Sequence, residues 1–150
     1  LISASARYGA MISGADEKIM DALTKFGEEI GTVFQLADDI IDIASDTKES
    51  GKTPGTDLRE GVPTLVTLNV MASNKSKDAD LQRLLSGPIH DETEVQEVLR
   101  ALRSHDALNL ARQQLGQIAK DARTALGPLP VGPATGALFS LCDAVIDRSA

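Results

Sequence analysis

Cysteine is almost absent. Cys142 is the single one among 150 residues, so no disulfide can close within the chain, and a reducing cytoplasm is the simplest compartment. With only His90 and His105 beside it, the chain has too few soft ligands for a structural zinc site. Any metal must therefore be held by carboxylates, which points to a hard ion such as Mg²⁺. Aromatics are scarce too, at 3%, with no Trp, one Tyr and three Phe. No apolar run reaches the roughly 18 residues of a membrane span. Bases are in deficit, 15 against 22 acids for a net charge of -7, which argues against nucleic acid as the main partner. The opening residues Leu1 to Arg7 lack the pattern of a signal peptide and read as a chain entered part-way through a helix.

What is present is ordinary globular composition, 42% apolar and 25% charged, enough for one domain over residues 1–150. Its periodicity is helical almost throughout. From Asp16, a cap, to about Thr47, the positions Ile19, Leu23, Phe26, Ile30, Val33, Ala37, Ile40 and Ala44 follow steps of four and three, with Phe34 and Ile41 widening the seam. Roughly 30 residues at 1.5 Å each give about 45 Å, a length that belongs to a large helical bundle. Leu1 to Ser13 predicts a small-residue helix before it. Asp46 to Gly61 is polar and broken by Gly51, Pro54, Gly55 and Gly61. Pro63 suits the first position of a helix over Thr64 to Ala72, and a short helix is expected around Leu81 to Leu85. Asp91 and Glu94 predict a capping box, Asp106 opens a helix reaching Leu126, and Leu138 to Val145 carries the last, with Cys142 on its apolar stripe. No stretch alternates with period two, so the fold expected is all-α.

Chemistry points to the second face of the long helix. At about 100° per residue, Gly27, Gly31, Gln35, Asp38 and Asp42 share a sector of roughly 80° away from the seam. Two glycines there cost about 1 kcal/mol each against Ala, which makes sense where something approaches the backbone closely. The face reads as a cavity wall with a charged mouth. Asp38, Asp39 and Asp42 form Asp-Asp-x-x-Asp, three carboxylates that repel one another unless solvated or holding a cation. A solvated acidic face is the alternative. The surroundings are apolar, however, and Lys48, Lys52 and Arg59 follow on a glycine-rich stretch, as a Mg²⁺-diphosphate site needs. Gly51-Lys52-Thr53 is not a P-loop, since Asp46 stands where its first Gly should be and a helix precedes it. His90 and His105 have no partners at ligand spacing and are expected on the surface. No nucleophile elbow occurs.

Phe34-Gln35-Leu36-Ala37-Asp38-Asp39-Ile40-Ile41-Asp42, then Gly51-Lys52, Asp57-Leu58-Arg59-Glu60-Gly61 and Thr64-Leu65, resembles the second aspartate-rich region of the trans-isoprenyl (polyprenyl) diphosphate synthases. The likeness extends through the closing helices and covers the C-terminal half of a family member. It implies a helical bundle of the isoprenoid synthase type, here only that half. It further implies Mg²⁺-assisted condensation of isopentenyl diphosphate with an allylic diphosphate through a carbocation. Asp38 would bind Mg²⁺ directly, with Asp39 and Asp42 acting directly or through metal-bound water. Lys52 would contact the allylic diphosphate, and Phe34 and Gln35 would line the cavity near the reacting carbons. The family also implies a homodimer, cytoplasmic or peripheral to a membrane, with quinone side chains as the expected use of the product.

Three departures qualify this. The first aspartate-rich motif is missing from these 150 residues, Val62 stands where many members have Lys, and Val66 where many have Pro. Alone, the chain is expected to be inactive. The alternative is a non-catalytic helical subunit of a heteromeric prenyl synthase. A ferritin-like bundle is disfavoured, because neither His follows a Glu at the required spacing.

Overall fold

The computed structural model describes residues 1–45 and 53–148, and among these every regular element is helical. The order is α1 (Ile2–Ile12), α2 (Glu17–Ala44), α3 (Thr56–Glu60), α4 (Leu65–Met71), a 3-10 turn (Ser76–Asp78), α5 (Ala79–Leu84), α6 (Glu92–Arg103), α7 (Asp106–Ala125) and α8 (Pro133–Asp147). The all-α expectation holds.

Helix α2 begins where its cap dictates. Asp16 Oδ1 accepts the N–H of Ile19 at 2.9 Å, and 28 helical residues follow, about 42 Å at 1.5 Å each. Phe26, Ile30, Val33, Ala37 and Ile40 are buried as the seam requires, and Ile43 replaces Ala44 at its end. Phe34 departs from the expectation: it is 41% exposed, because it lies about 100° round the helix from the fully buried Val33.

The chain forms two compact units, Leu1–Ala37 with Gln114–Ala150, and Asp38–Gln113. In the first, α1 crosses α2 at Gly27, where an added Cβ would sit 2.6 Å from Ser3 Cα. Ser3 Oγ donates to the Thr24 carbonyl at 3.2 Å beside that crossing. Leu115, Ala119, Ala122 and Leu126 are buried from the α7 side, Cys142 and Val145 from α8. Burial pushes the Cys142 thiol up from its ordinary pKa, as suits a core residue. Arg123 donates to Asp143 at 3.1 Å and lies 4.7 Å over the Phe139 ring.

The second unit packs Ile40, Ile43, Leu58, Val66, Val70, Val95, Val98, Leu99 and Leu102. Asp91 caps α6 by accepting the N–H of Glu94 at 2.9 Å, which is the Asp91 half of the expected capping box. Four expectations change. Helix α4 starts at Leu65, so Pro63 is not its first residue; Thr64 caps it, since its Oγ1 accepts the N–H of Thr67 while Thr67 Oγ1 accepts the N–H of Thr64. The polar stretch contains a helix, α3, because Gly55 and Gly61 adopt φ of 83° and 70° and frame one turn rather than breaking it. Helix α5 starts two residues before Leu81. In the first unit, α8 starts at Pro133, five residues before Leu138, with proline in its first turn.

Candidate active site

The candidate residues fall in both units. In the first, Phe34 and Gln35 line an open groove of about 610 Å³ with Ile2, Gly31 and Leu36. A Cβ on Gly31 would meet only the Ile2 side chain, at 3.6 and 3.7 Å, which is ordinary contact. The glycine face therefore does two things. Gly27 admits the backbone of α1 at the edge of the groove, while Gly31 and Gln35 border its open space. The Arg148 guanidinium lies 5.0 Å over the Phe34 ring, a cation–π pair at this groove-lining aromatic.

In the second unit, Asp38 and Asp39 sit half-buried on the last turns of α2, and neither is without a partner. Among the described residues no three His, Cys, Asp or Glu side chains gather into a group able to hold a metal. The donors present are hard carboxylate oxygens without a closed cage. That chemistry fits Mg²⁺, which takes one or two carboxylates and fills its remaining positions with water and phosphate oxygens. Lys48 and Lys52, expected on the phosphate side, lie outside the described residues.

Asp42 is differently engaged. Its Oδ1 accepts the N–H of Thr56 at 3.2 Å and its Oδ2 that of Asp57 at 3.3 Å, while its carbonyl accepts the N–H of Gly55 at 3.0 Å. The following Asp57-Leu58-Arg59-Glu60-Gly61 string proves to be scaffold. Leu58 is buried, and its carbonyl accepts the N–H of Ile89 at 3.0 Å. Arg59 grips Glu92 with Nε at 3.2 Å and Nη2 at 2.9 Å, and donates to the Pro54 carbonyl at 2.8 Å. The expectation of Arg59 as a base on a phosphate-facing stretch gives way to that fork. The Gln96 amide, then the Arg59 guanidinium, hold the Glu92 carboxyl below its ordinary range. Gly61 meets Pro88 so closely that a Cβ would lie 2.9 Å from the proline nitrogen.

Two arrangements had no signal in the sequence. Arg103 donates to the carbonyls of Ile43 at 2.8 Å and Ser45 at 2.7 Å, satisfying the C-terminal end of α2 from 60 and 58 residues away. His105, expected on the surface, has a side chain only 14% exposed. Its Nδ1 accepts the N–H of Ala107 at 3.0 Å, and its Nε2 lies 3.2 Å from Asp78 Oδ1. Ser73 Oγ donates to the other oxygen of Asp78, and that bond, ahead of His105, holds the Asp78 carboxyl below its usual range. A hollow of about 470 Å³ beside His105 includes none of the candidate residues.

The polyprenyl synthetase profile matches residues 1–102, two thirds of the sequence. This chain belongs to the polyprenyl synthetase family. It is 45% identical over 148 residues to the nonaprenyl diphosphate synthase of Mycobacterium tuberculosis, covering 99% of this chain and 44% of that protein. To the octaprenyl diphosphate synthase of Haemophilus influenzae it is 32% identical, covering 99% and 45%. Among solved structures, the geranylgeranyl pyrophosphate synthase of Corynebacterium glutamicum, complexed with calcium and isoprenyl diphosphate, superposes with a TM-score of 0.91 at 36% identity. That match covers 99% of this chain and 46% of that one. The polyprenyl synthetase fold is thus shared along the whole sequence given, while the chain spans less than half the length of the relatives it matches. No helix among the described residues is long and apolar enough to cross a membrane.

Proposed function

We propose that this chain supplies the second acidic arm of a prenyltransferase that condenses isopentenyl diphosphate with an allylic diphosphate. The observation that carries the reading is the placement of Asp38 and Asp39, half-buried at the end of α2, in a chain that belongs to the polyprenyl synthetase family. Asp38 holds Mg²⁺ through a carboxylate oxygen, and Asp39 assists directly or through metal-bound water. Mg²⁺, when bound, offsets the charge of the departing diphosphate. Lys52 answers the remaining phosphate charge. Phe34 and Gln35 border the largely apolar groove on α2 and line it near the reacting carbons of the allylic substrate. No side-chain nucleophile is needed, in keeping with the buried Cys142.

We further infer a homodimeric, cytoplasmic protein that meets membranes peripherally where its lipid product leaves, with quinone side chains as the use of that product. The test is incorporation of labelled isopentenyl diphosphate by the protein that contains this sequence at its relatives' length, with and without Asp38→Ala. Loss of a hundredfold or more is expected, and the 150-residue chain alone should turn over little. Full activity in the variant ends the metal-arm assignment.

A further inference from the structure

We propose that Asp42 is a positioning residue, whose carboxylate latches α3 onto the end of α2, and not a direct metal ligand. Helix α3 has five residues, too few to hold itself together in water, and its N-cap, Gly55, has no side chain to satisfy the first amides. Asp42 does this from 14 and 15 residues away, giving one oxygen to the N–H of Thr56 and the other to that of Asp57. Its own carbonyl takes the N–H of Gly55, so three successive amides converge on one residue. The turn that carries Asp42 is itself fixed. Arg103 donates to the carbonyl of Ile43 next to it and to that of Ser45. On the far side, Arg59 holds the Pro54 carbonyl and Glu92. With each oxygen accepting a backbone amide, this carboxylate is fixed in direction by α3, and the one or two carboxylates that Mg²⁺ takes are already supplied by Asp38 and Asp39. The spacing of four residues in Asp-Asp-x-x-Asp then has two causes: Asp38 and Asp39 face a metal, while Asp42 fixes the helix that follows.

The latch stands on the hydrogen bonds; its consequence for metal rests on the function proposed above. The experiment measures amide hydrogen exchange at Thr56 and Asp57 in the protein that contains this sequence at its relatives' length, and Mn²⁺ binding with inorganic pyrophosphate. The variants are Asp42→Ala, Asp42→Asn and Asp38→Asn. In Asp42→Ala both amides should exchange at least tenfold faster. Asp42→Asn keeps one acceptor oxygen and should restore protection of at least one amide to within threefold. Its Mn²⁺ affinity should stay within threefold of the parent, while Asp38→Asn weakens it tenfold or more. Unchanged exchange in Asp42→Ala overturns the latch, and Asp42→Asn binding Mn²⁺ as poorly as Asp38→Asn makes Asp42 a ligand after all. Failure of the parent chain to bind Mn²⁺ and pyrophosphate counts against the proposed function and leaves the exchange result to decide the latch.

Discussion

Gly27 and Gly31 occupy the same face of α2, one turn apart, and sequence gives them the same rationale, yet alanine at the two positions should have opposite effects. In a helix interior Ala is favoured over Gly by about 1 kcal/mol. At Gly31 the new methyl meets only Ile2 side-chain atoms at 3.6 and 3.7 Å, so this gain is kept and Gly31→Ala should stabilise by about 1 kcal/mol. At Gly27 the methyl would lie 2.6 Å from Ser3 Cα and 3.0 Å from Ser3 N. The obstacle is backbone and cannot rotate aside, so α1 must move. Overpacking of that kind costs about 3 kcal/mol, leaving a net loss of about 2 kcal/mol after the propensity gain. At about 2–4 °C per kcal/mol, the two variants should separate by roughly 6–12 °C in thermal midpoint, on either side of the parent. Urea denaturation followed by far-ultraviolet circular dichroism measures the same quantity. Two variants that shift in the same direction would refute the contact-based account of this helix face.

Gly61→Ala should destabilise by about 2–3 kcal/mol, since φ of 70° is unfavourable for a side chain and the methyl would press on Pro88; a midpoint unchanged in urea would contradict this. Thr64→Ala removes the acceptor for the Thr67 amide in a buried cap and should cost about 1–2 kcal/mol, with Thr64→Ser recovering most of it. Acid stability should depend on Asp78. Its carboxyl is held below its unfolded value by Ser73 and His105, so the contribution is present above the unfolded pKa near 4 and is lost as pH falls through the lowered folded value. Thermal midpoints from pH 5 down to pH 2 should fall less steeply for Ser73→Ala than for the parent, and parallel curves would dismiss the pair as a determinant.

The legibility of each element follows from where its stabilising contacts lie. Helix α2 announces itself, because its cap is local and its buried positions repeat every three or four residues. Phe34 was misplaced on the seam because a single apolar residue next to Val33 cannot declare which side it takes when its neighbour already fills the core. Helix α3 was illegible for the opposite reason: no local residue stabilises it, and the acceptor for its first amides comes from Asp42. Its flanking glycines look like helix breakers when they are read one at a time. The close approach at Gly27 could be foreseen, but not that α1 would be the approaching group. His105 looked solitary because Asp78 is 27 positions away in sequence and adjacent only after folding. The Asp38-Asp39 pair was visible as a motif, whereas Arg103 carried no signal, since its partners are backbone carbonyls and no side-chain pattern marks them.

Helix α2 joins these roles through its register. Side-chain size along one face rises from Gly27, where the backbone of α1 crosses, through Gly31 and Gln35 at the groove, to carboxylates at the end. A one-residue slip in this helix would drive a side chain into Ser3 and turn Gln35 from the groove. The same slip would withdraw Asp42 from the amides of Thr56 and Asp57. Register is therefore set at both ends, by a contact that only glycine tolerates and by a carboxylate that only one rotation brings to α3. Between these fixed points, Asp38 and Asp39 can be held at a defined rotation without a closed protein cage around them. A diphosphate site needs that combination: carboxylates fixed in direction, with coordination positions left for the ligand's own oxygens.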